Sequence, residues 1–250
     1  MERRLVAPLI TLLLIGSFTY AVLYNPSASA SVKELNVISR TKGDEVLKAE
    51  FLDGQLKISM KNNHRETITA FAINFGDTTI KEDFAYSDVH FGIEPGDTFQ
   101  KSYSVSPPSV GSEIPTLYLL TVLLMNGGGD GNPKVSQEIR DERLGEKIQI
   151  LRTLRILEKE GPYPKDLKMV KSNIAAALNT SESEMLISLS ELQPAMGSDR
   201  RLSDHLRNGL QVGREKMLRR FDDLEKLPTE NREQGFTQLT DRARKLFSKL

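Results

Sequence analysis

NGGGDGNP, residues 126–133, divides the chain into two regimes. Four glycines within five positions are expected to hold neither a strand nor a helix interior, because glycine gives up the most backbone freedom on ordering. Asn132 followed by Pro133 reads instead as a helix N-cap with proline at the first helical position. The stretch 126–132 is therefore expected to be a Gly-rich linker, with a β-sandwich domain over 31–125 before it and an α-helical domain over 133–250 after it. The fold class is α+β: an N-terminal antiparallel β-sandwich, immunoglobulin-like, followed by a C-terminal helical region of about five helices.

Upstream, from about Val46 to Met125, short apolar or β-branched runs alternate with turn residues at sandwich spacing, six or seven strands in all. In GQLKISMKN, Leu56, Ile58 and Met60 face one way and Lys57, Ser59 and Lys61 the other, the period of two of a half-buried strand. Asn62-Asn63 turns the chain. ETITAFAINF then places Thr69, Phe71, Ile73 and Phe75 on the better core face and Ile68, Ala70, Ala72 and Asn74 on the other. Asp88 to Phe91 is a short candidate strand, Pro95-Gly96 a tight turn, and FQKSYSV a further alternating strand. After Pro107-Pro108, Leu117 to Met125 is apolar at nearly every position, the composition of a central strand or of a core helix; Thr121 and Val122 favour the strand.

The strand ending in Asn62-Asn63, the strand ITAFAINF and the turn Ile93-Glu94-Pro95-Gly96-Asp97 together resemble the immunoglobulin-like β-sandwiches of exported bacterial proteins, including the FxLYD type, over about 50 residues. The resemblance implies a spacer or binding scaffold, without the cysteine pair or tryptophan of antibody domains.

Downstream the periodicity is helical. Pro133 to Glu160 carries Ile139, Leu144, Ile148, Leu151, Leu154 and Leu157 as one stripe, and Gly161-Pro162 stops it. Further helices are expected over about Lys165 to Asn179, after a Ser181/Glu184 capping box, over about Arg201 to Leu227, and from Glu230 to Lys249. The last has a seam of about two heptads, short for a free coiled coil and suited to packing within the bundle.

At the amino end, Arg3-Arg4, the apolar run LVAPLITLLLIGSFTYAVLY and Asn25-Pro26-Ser27-Ala28-Ser29-Ala30 follow the order of a signal peptide over residues 1–30. Ala28 and Ala30 fit an A-x-A cleavage site before Ser31. The apolar run, about 20 residues, also suffices for a retained membrane anchor. Either way Ser31 onward is expected outside the cytoplasm, as a periplasmic, extracellular or membrane-anchored protein. The full sequence has no cysteine, which excludes disulfides, thiolate metal sites and a cysteine nucleophile.

Beyond Ala30 there are 32 basic and 33 acidic side chains, so no global field steers the chain to nucleic acid. His64, His90 and His205 are dispersed without metal-ligand spacing, and no nucleophile elbow, zincin or phosphate-loop motif occurs. Asn126, Asp130 and Asn132 alternate with glycine as calcium ligands do, but Gly128 at the third position of a calcium loop has no side-chain ligand and Gln137 at the twelfth replaces the bidentate glutamate, so the shell is short of charge. Catalytic, cofactor-binding and metal-ligating residues are accordingly none, and no cofactor is expected. Basic residues gather at Arg200-Arg201, at Arg214, Lys216, Arg219 and Arg220, and at Arg242, Arg244, Lys245 and Lys249; the middle group is the first to test for binding. The expected function is that of an exported non-catalytic binding or structural protein of the cell envelope or extracellular space. Its expected partner is another envelope protein or a cell-wall polymer, with no nucleic acid, and with membrane contact only through an uncleaved N-terminus. The alternative is an envelope enzyme, such as a glycan hydrolase, with an unrecognised carboxylate site.

Overall fold

The computed structural model describes residues 33–43, 46–86, 92–106, 113–161, 166–179, 181–192 and 203–249. The signal-cleavage positions Ala28, Ala30 and Ser31, the candidate strand Asp88–Phe91, and His90, Arg200 and Arg201 lie outside the described residues. The chain is mixed: sheets first, then five helices among the described residues.

Strands β1 (Lys33–Glu34), β3 (Val46–Leu52), β4 (Gln55–Lys61) and β7 (Thr98–Ser104) form one antiparallel sheet in the order β1-β3-β4-β7. Strands β2 (Val37–Ser39), β8 (Leu117–Leu124), β5 (Ile68–Phe75) and β6 (Thr78–Asp83) form the second in the order β2-β8-β5-β6. The expectation of a purely antiparallel arrangement is corrected here: β2 runs parallel to β8, with Val37, Ile38 and Ser39 opposite Leu117, Tyr118 and Leu119. Apolar faces from both sheets meet in one core, to which β4 gives Leu56, Ile58 and Met60 and β5 gives Phe71, Ile73 and Phe75. Phe71, Phe84 and Phe99 pack there with ring centroids 5.0–6.0 Å apart.

The turn that leads into β7 closes as its sequence requires. Gly96 takes φ +86° and Asp97 N–H donates to Glu94 O at 3.0 Å, a type II turn with Pro95 and Gly96 at its centre. Asn62, fully buried, donates through Nδ2 to Glu66 O and Ile93 O and accepts from His64 N–H, so one side chain pins three backbone segments.

The glycine stretch differs from expectation. Gly129–Gly131 form β9, antiparallel to β8 with Thr121 opposite Gly131 and Leu123 opposite Gly129. The strand forms because glycine is what fits: a Cβ on Gly129 would meet Arg140, Leu123 and Ser136 at 3.0–3.2 Å, and one on Gly131 would lie 2.9 Å from Thr121 Cα. Thus β2 covers the first half of one edge of β8 and β9 the second half. Where the two meet, Asp130 Oδ2 accepts from Lys42 N–H at 2.7 Å and Gly43 N–H at 2.8 Å.

Helices α1 (Pro133–Glu160), α2 (Leu167–Ala177), α3 (Glu182–Leu192), α4 (Asp204–Glu225) and α5 (Arg232–Lys249) follow. Asn132 caps α1, Asp166 caps α2 and Ser203 caps α4 through side-chain oxygens. Only half of the expected Ser181/Glu184 box forms: Glu184 Oε2 accepts from Ser181 N–H, while the Ser181 hydroxyl also points to that carboxylate. The first turns of α1 seal the outer face of the second sheet, where Ala70, Ala72 and Leu123 pack against Ile139. Arg143 clamps this seam, with Nε and Nη2 on the Asp83 carboxylate at 2.7 and 2.8 Å and Nη2 on Thr69 O at 2.8 Å.

Candidate binding cleft

The geometry of the helical half follows from where α1 and α4 touch. Gly145 of α1 and Gly209 and Gly213 of α4 face the opposite helix; a Cβ on Gly209 would fall on Glu142 O and one on Gly145 on Leu206 O. These glycines let the two backbones meet, and Leu144, Ile148, Leu189, Leu206 and Leu210 close around the crossing. On one flank of α4 the carboxyl end of α2 and the start of α3 stand off, leaving a cleft of about 610 Å³. That volume lies in the range of small-ligand sites, about 300–1,000 Å³.

Leu178, Met185, Leu210 and Leu218 form the apolar wall, with Gln149 and Arg214 among the polar lining. Gln149, 1% exposed, lies on α1. Its Nε2 donates to Leu178 O at 3.3 Å and Leu210 O at 3.2 Å, tying the end of α2 to α4. Two carbonyl acceptors use both amide hydrogens and fix the side-chain orientation, so Oε1 is buried as an acceptor with no donor. Arg214 Nε is likewise buried without an acceptor. Behind the cleft, Arg152 donates to Ala177 O and to Ser188 Oγ, joining α1, α2 and α3; burial lowers its pKa, opposed by Glu184 and Glu191.

The middle basic group is divided by this geometry. Arg214 lines the cleft, whereas Lys216 pairs with Glu146 at 3.0 Å and Arg220 lines a separate depression with Leu224, Leu239 and Arg242. Burial lowers the Arg220 pKa, with Glu146 acting against it. Arg219 is exposed. Arg219 and Arg220 follow Arg214 on α4 by five and six residues, turns of roughly 140° and 240° at about 100° per residue, so these three arginines, the first to test for binding, do not share one face. In the last group, Arg244 reaches Glu158 and Asp241.

His205 sits at the seam between sheet and helices, with Nδ1 3.2 Å from Glu142 Oε1 and Nε2 3.6 Å from Glu138 Oε1. Lys81 Nζ occupies the space between the same carboxylates, at 2.9 and 3.4 Å. The oxygens of Asn126, Asp130 and Asn132 do not converge. Each accepts from backbone N–H groups: Gly128 for Asn126, Lys42 and Gly43 for Asp130, Lys134 and Val135 for Asn132.

Gln149 was invisible to periodicity because the buried, non-apolar set Gly145, Gln149, Arg152 and Thr153 forms its own stripe on α1. Such a stripe reads as the solvent face of an amphipathic helix; in a helix enclosed on all sides it lines the interior. Comparison of the chain with family models, with curated proteins and with solved structures returns no match.

Proposed function

We propose that the protein is an exported, non-catalytic binding protein of the cell envelope or extracellular space, in which the β half serves as an immunoglobulin-like, FxLYD-type scaffold and the cleft beside α4 holds the partner. The observation that carries the binding role is a cleft of about 610 Å³ in which an apolar wall of Leu178, Met185, Leu210 and Leu218 stands beside Asn179, Arg207, Gln211 and Glu215, while two further lining residues, Gln149 and Arg214, each carry a buried side-chain atom without a partner, Oε1 and Nε. Buried polar groups normally find partners. The scaffold reading is supported by the corner in which Asn62 N–H donates to Asp97 O and Gly96 N–H to Asn62 O, since those residues carry the resemblance. Export rests on Arg3-Arg4, the apolar run and Ala28-Ser29-Ala30. Among the described residues no helix is long and apolar enough to cross a membrane.

A photo-cross-linking amino acid at Gln211, beside the cleft, should give a discrete adduct with an envelope protein or wall polymer in living cells. The same group at exposed Lys57 should not. No adduct at Gln211, or turnover of a glycan, peptide or ester by the purified protein that is lost on changing one Asp or Glu, would refute this function. N-terminal sequencing of envelope or medium fractions should begin at Ser31. Intact Met1 in the membrane pellet would mean an anchor, and intact Met1 in soluble cytoplasm would defeat export.

A further inference from the structure

We infer that Asn126-Gly127 is a site of self-modification, at which the Asn126 side chain closes on the Gly127 backbone nitrogen, loses ammonia and reopens in water to aspartate or isoaspartate, the latter loosening β9 from β8. The inference is independent of the cleft and of the binding role.

The reaction needs a side-chain amide folded toward the following backbone, room for an imide ring, and access for base and water. The turn between β8 and β9 offers all of these. Asn126 Oδ1 accepts from Gly128 N–H at 2.7 Å, so the side chain lies forward over the residues that follow it. A Cβ on Gly128 would meet that amide, with Oδ1 at 2.8 Å and Cγ at 3.7 Å. The same N–H draws charge from the Cγ carbonyl and stays on its oxygen as the oxygen turns negative, as donors do at other acyl centres under attack. A Cβ on Gly127 would meet nothing within 4 Å, and Asn126 and Gly127 are both exposed. Gly127 N–H donates to Leu124 O at 3.0 Å, a turn bond at an exposed hairpin end, of the kind that opens locally at low cost.

The step balances with water as the sole co-reactant. A solvent base removes the Gly127 amide proton, the nitrogen bonds to Cγ, and Nδ2 leaves as ammonia. Water then cleaves the ring at Cγ, giving aspartate, or at the Asn126 main-chain carbonyl, giving isoaspartate. In isoaspartate the chain runs through Cβ and Cγ and is longer by a carbon. That carbon falls inside the hairpin closed by Leu124 N–H on Gly128 O, next to the strand whose Asp130 holds Lys42 and Gly43.

The same dipeptide recurs at Asn208-Gly209, where Asn208 is also exposed but the pair lies inside α4. There the helix keeps Gly209 N–H in its ladder and tilts the Asn208 side chain toward the preceding turn, away from the following nitrogen. The Glu142 backbone packed on Gly209 closes the remaining space.

The test ages the full chain in mildly alkaline buffer. Peptide mapping by mass spectrometry follows the amide-to-acid mass gain at both asparagines, and an isoaspartate methyltransferase labels isoaspartate. In the folded protein Asn126 should convert at least about a hundredfold faster than Asn208, whose reaction waits on local opening of α4. In urea the two should convert at similar rates, and folding should not slow Asn126. Aged protein should exchange hydrogen faster at Leu124 and Asn132, whose N–H groups bond Gly128 O and Leu120 O, and should be cut more readily near Lys42. Asn126→Ser, which keeps an acceptor for Gly128 N–H but has no amide to lose, should show neither change after the same ageing. Asn126 converting more slowly folded than in urea, or Asn208 keeping pace with it in the folded protein, overturns the site. Isoaspartate at position 126 with exchange and cleavage unchanged overturns the loosening of β9.

Discussion

Replacing Gly209 with alanine should destabilise the protein by about 2–3 kcal/mol, against the sign that helix propensity alone gives. In an open helix the change would stabilise by about 1 kcal/mol. At this crossing the new methyl would fall on the Glu142 carbonyl oxygen, with the Glu142 Cα and carbonyl carbon both 2.8 Å away, and backbone has no rotamer by which to yield. The helices must separate by about 1 Å, enough to forfeit a quarter to a half of the dispersion energy of atoms touching across the gap. Leu144, Ile148, Leu206 and Leu210 lie in that gap. Overpacking of this kind costs typically 1–3 kcal/mol; a rigid neighbour puts Gly209 at or above the upper end, about 3–4 kcal/mol before the propensity gain is subtracted. Gly235→Ala on α5 is the internal control. Its Cβ would meet only the terminal methyls Leu224 Cδ1 and Leu227 Cδ1, at 2.7 Å, which can swing aside. That substitution should be neutral or stabilising by up to about 1 kcal/mol. Urea unfolding followed by far-ultraviolet circular dichroism separates the two, and a loss of 2–3 kcal/mol corresponds to a melting temperature lower by about 4–12 °C. If Gly209→Ala matched or exceeded the wild type, the close approach of α1 and α4 would be wrong.

Tyr103 gives an alkaline signature. Burial, helped by its hydrogen bond to Glu82 and that carboxylate's charge, pushes the phenol far above its ordinary pKa of 10. The folded state therefore holds the proton more tightly than the unfolded chain, and stability present below about pH 10 declines as pH rises beyond it. Tyr103→Phe should flatten that decline, measured as melting temperature between pH 8 and 11.5; an unchanged slope would count against the buried phenol. Asp130→Ala should lower stability by about 1.5 kcal/mol through loss of two charge-assisted hydrogen bonds and should open the chain near Lys42 to limited proteolysis. Both effects should be the same with and without calcium, and a calcium-dependent rise in melting temperature abolished by this variant would reinstate a metal loop. Asn62→Ala strands Glu66 O, Ile93 O and His64 N–H inside the first core and should lower stability by about 3 kcal/mol in the same urea assay.

Alternation along one strand or one helix face was readable from the sequence; what depended on a neighbour supplied from elsewhere was not. Leu56, Ile58 and Met60 are fully buried as their period of two requires, and α1 runs from Pro133 to Glu160 between its proline start and glycine stop. On β5 Phe71, Ile73 and Phe75 face the core as expected, but a register shift between Ile68 and Ala70 puts Ile68 in that core and leaves the Thr69 hydroxyl to Arg143 of α1; Ala70 and Ala72 are buried as well, because α1 covers them and their small side chains admit it. Local propensity argued against β9; the open edge of β8, a partner contributed by the fold, outweighs it. The cleft was legible only in part. Arg214 stood out for its charge, whereas Gln149 matters for its burial, and burial on the polar side of a helix is set by how many helices surround it.

Half of one edge of β8 is guarded by a three-residue strand that precedes it in the chain by about 80 residues, a separation that makes such pairing late and easily lost. A protease that trimmed the chain past β2 would take Leu35 and Val37 from the rim of the core between the sheets and bare the backbone N–H and C=O groups of Leu117 to Leu119, on the most apolar strand, while leaving the core residues of β4, β5 and β8 in the chain. Open apolar edges recruit strands from other copies. Nicked molecules should thus aggregate edge to edge while still folded, and the loop bracketed by Lys42, Gly43 and Asp130 is the latch that delays it.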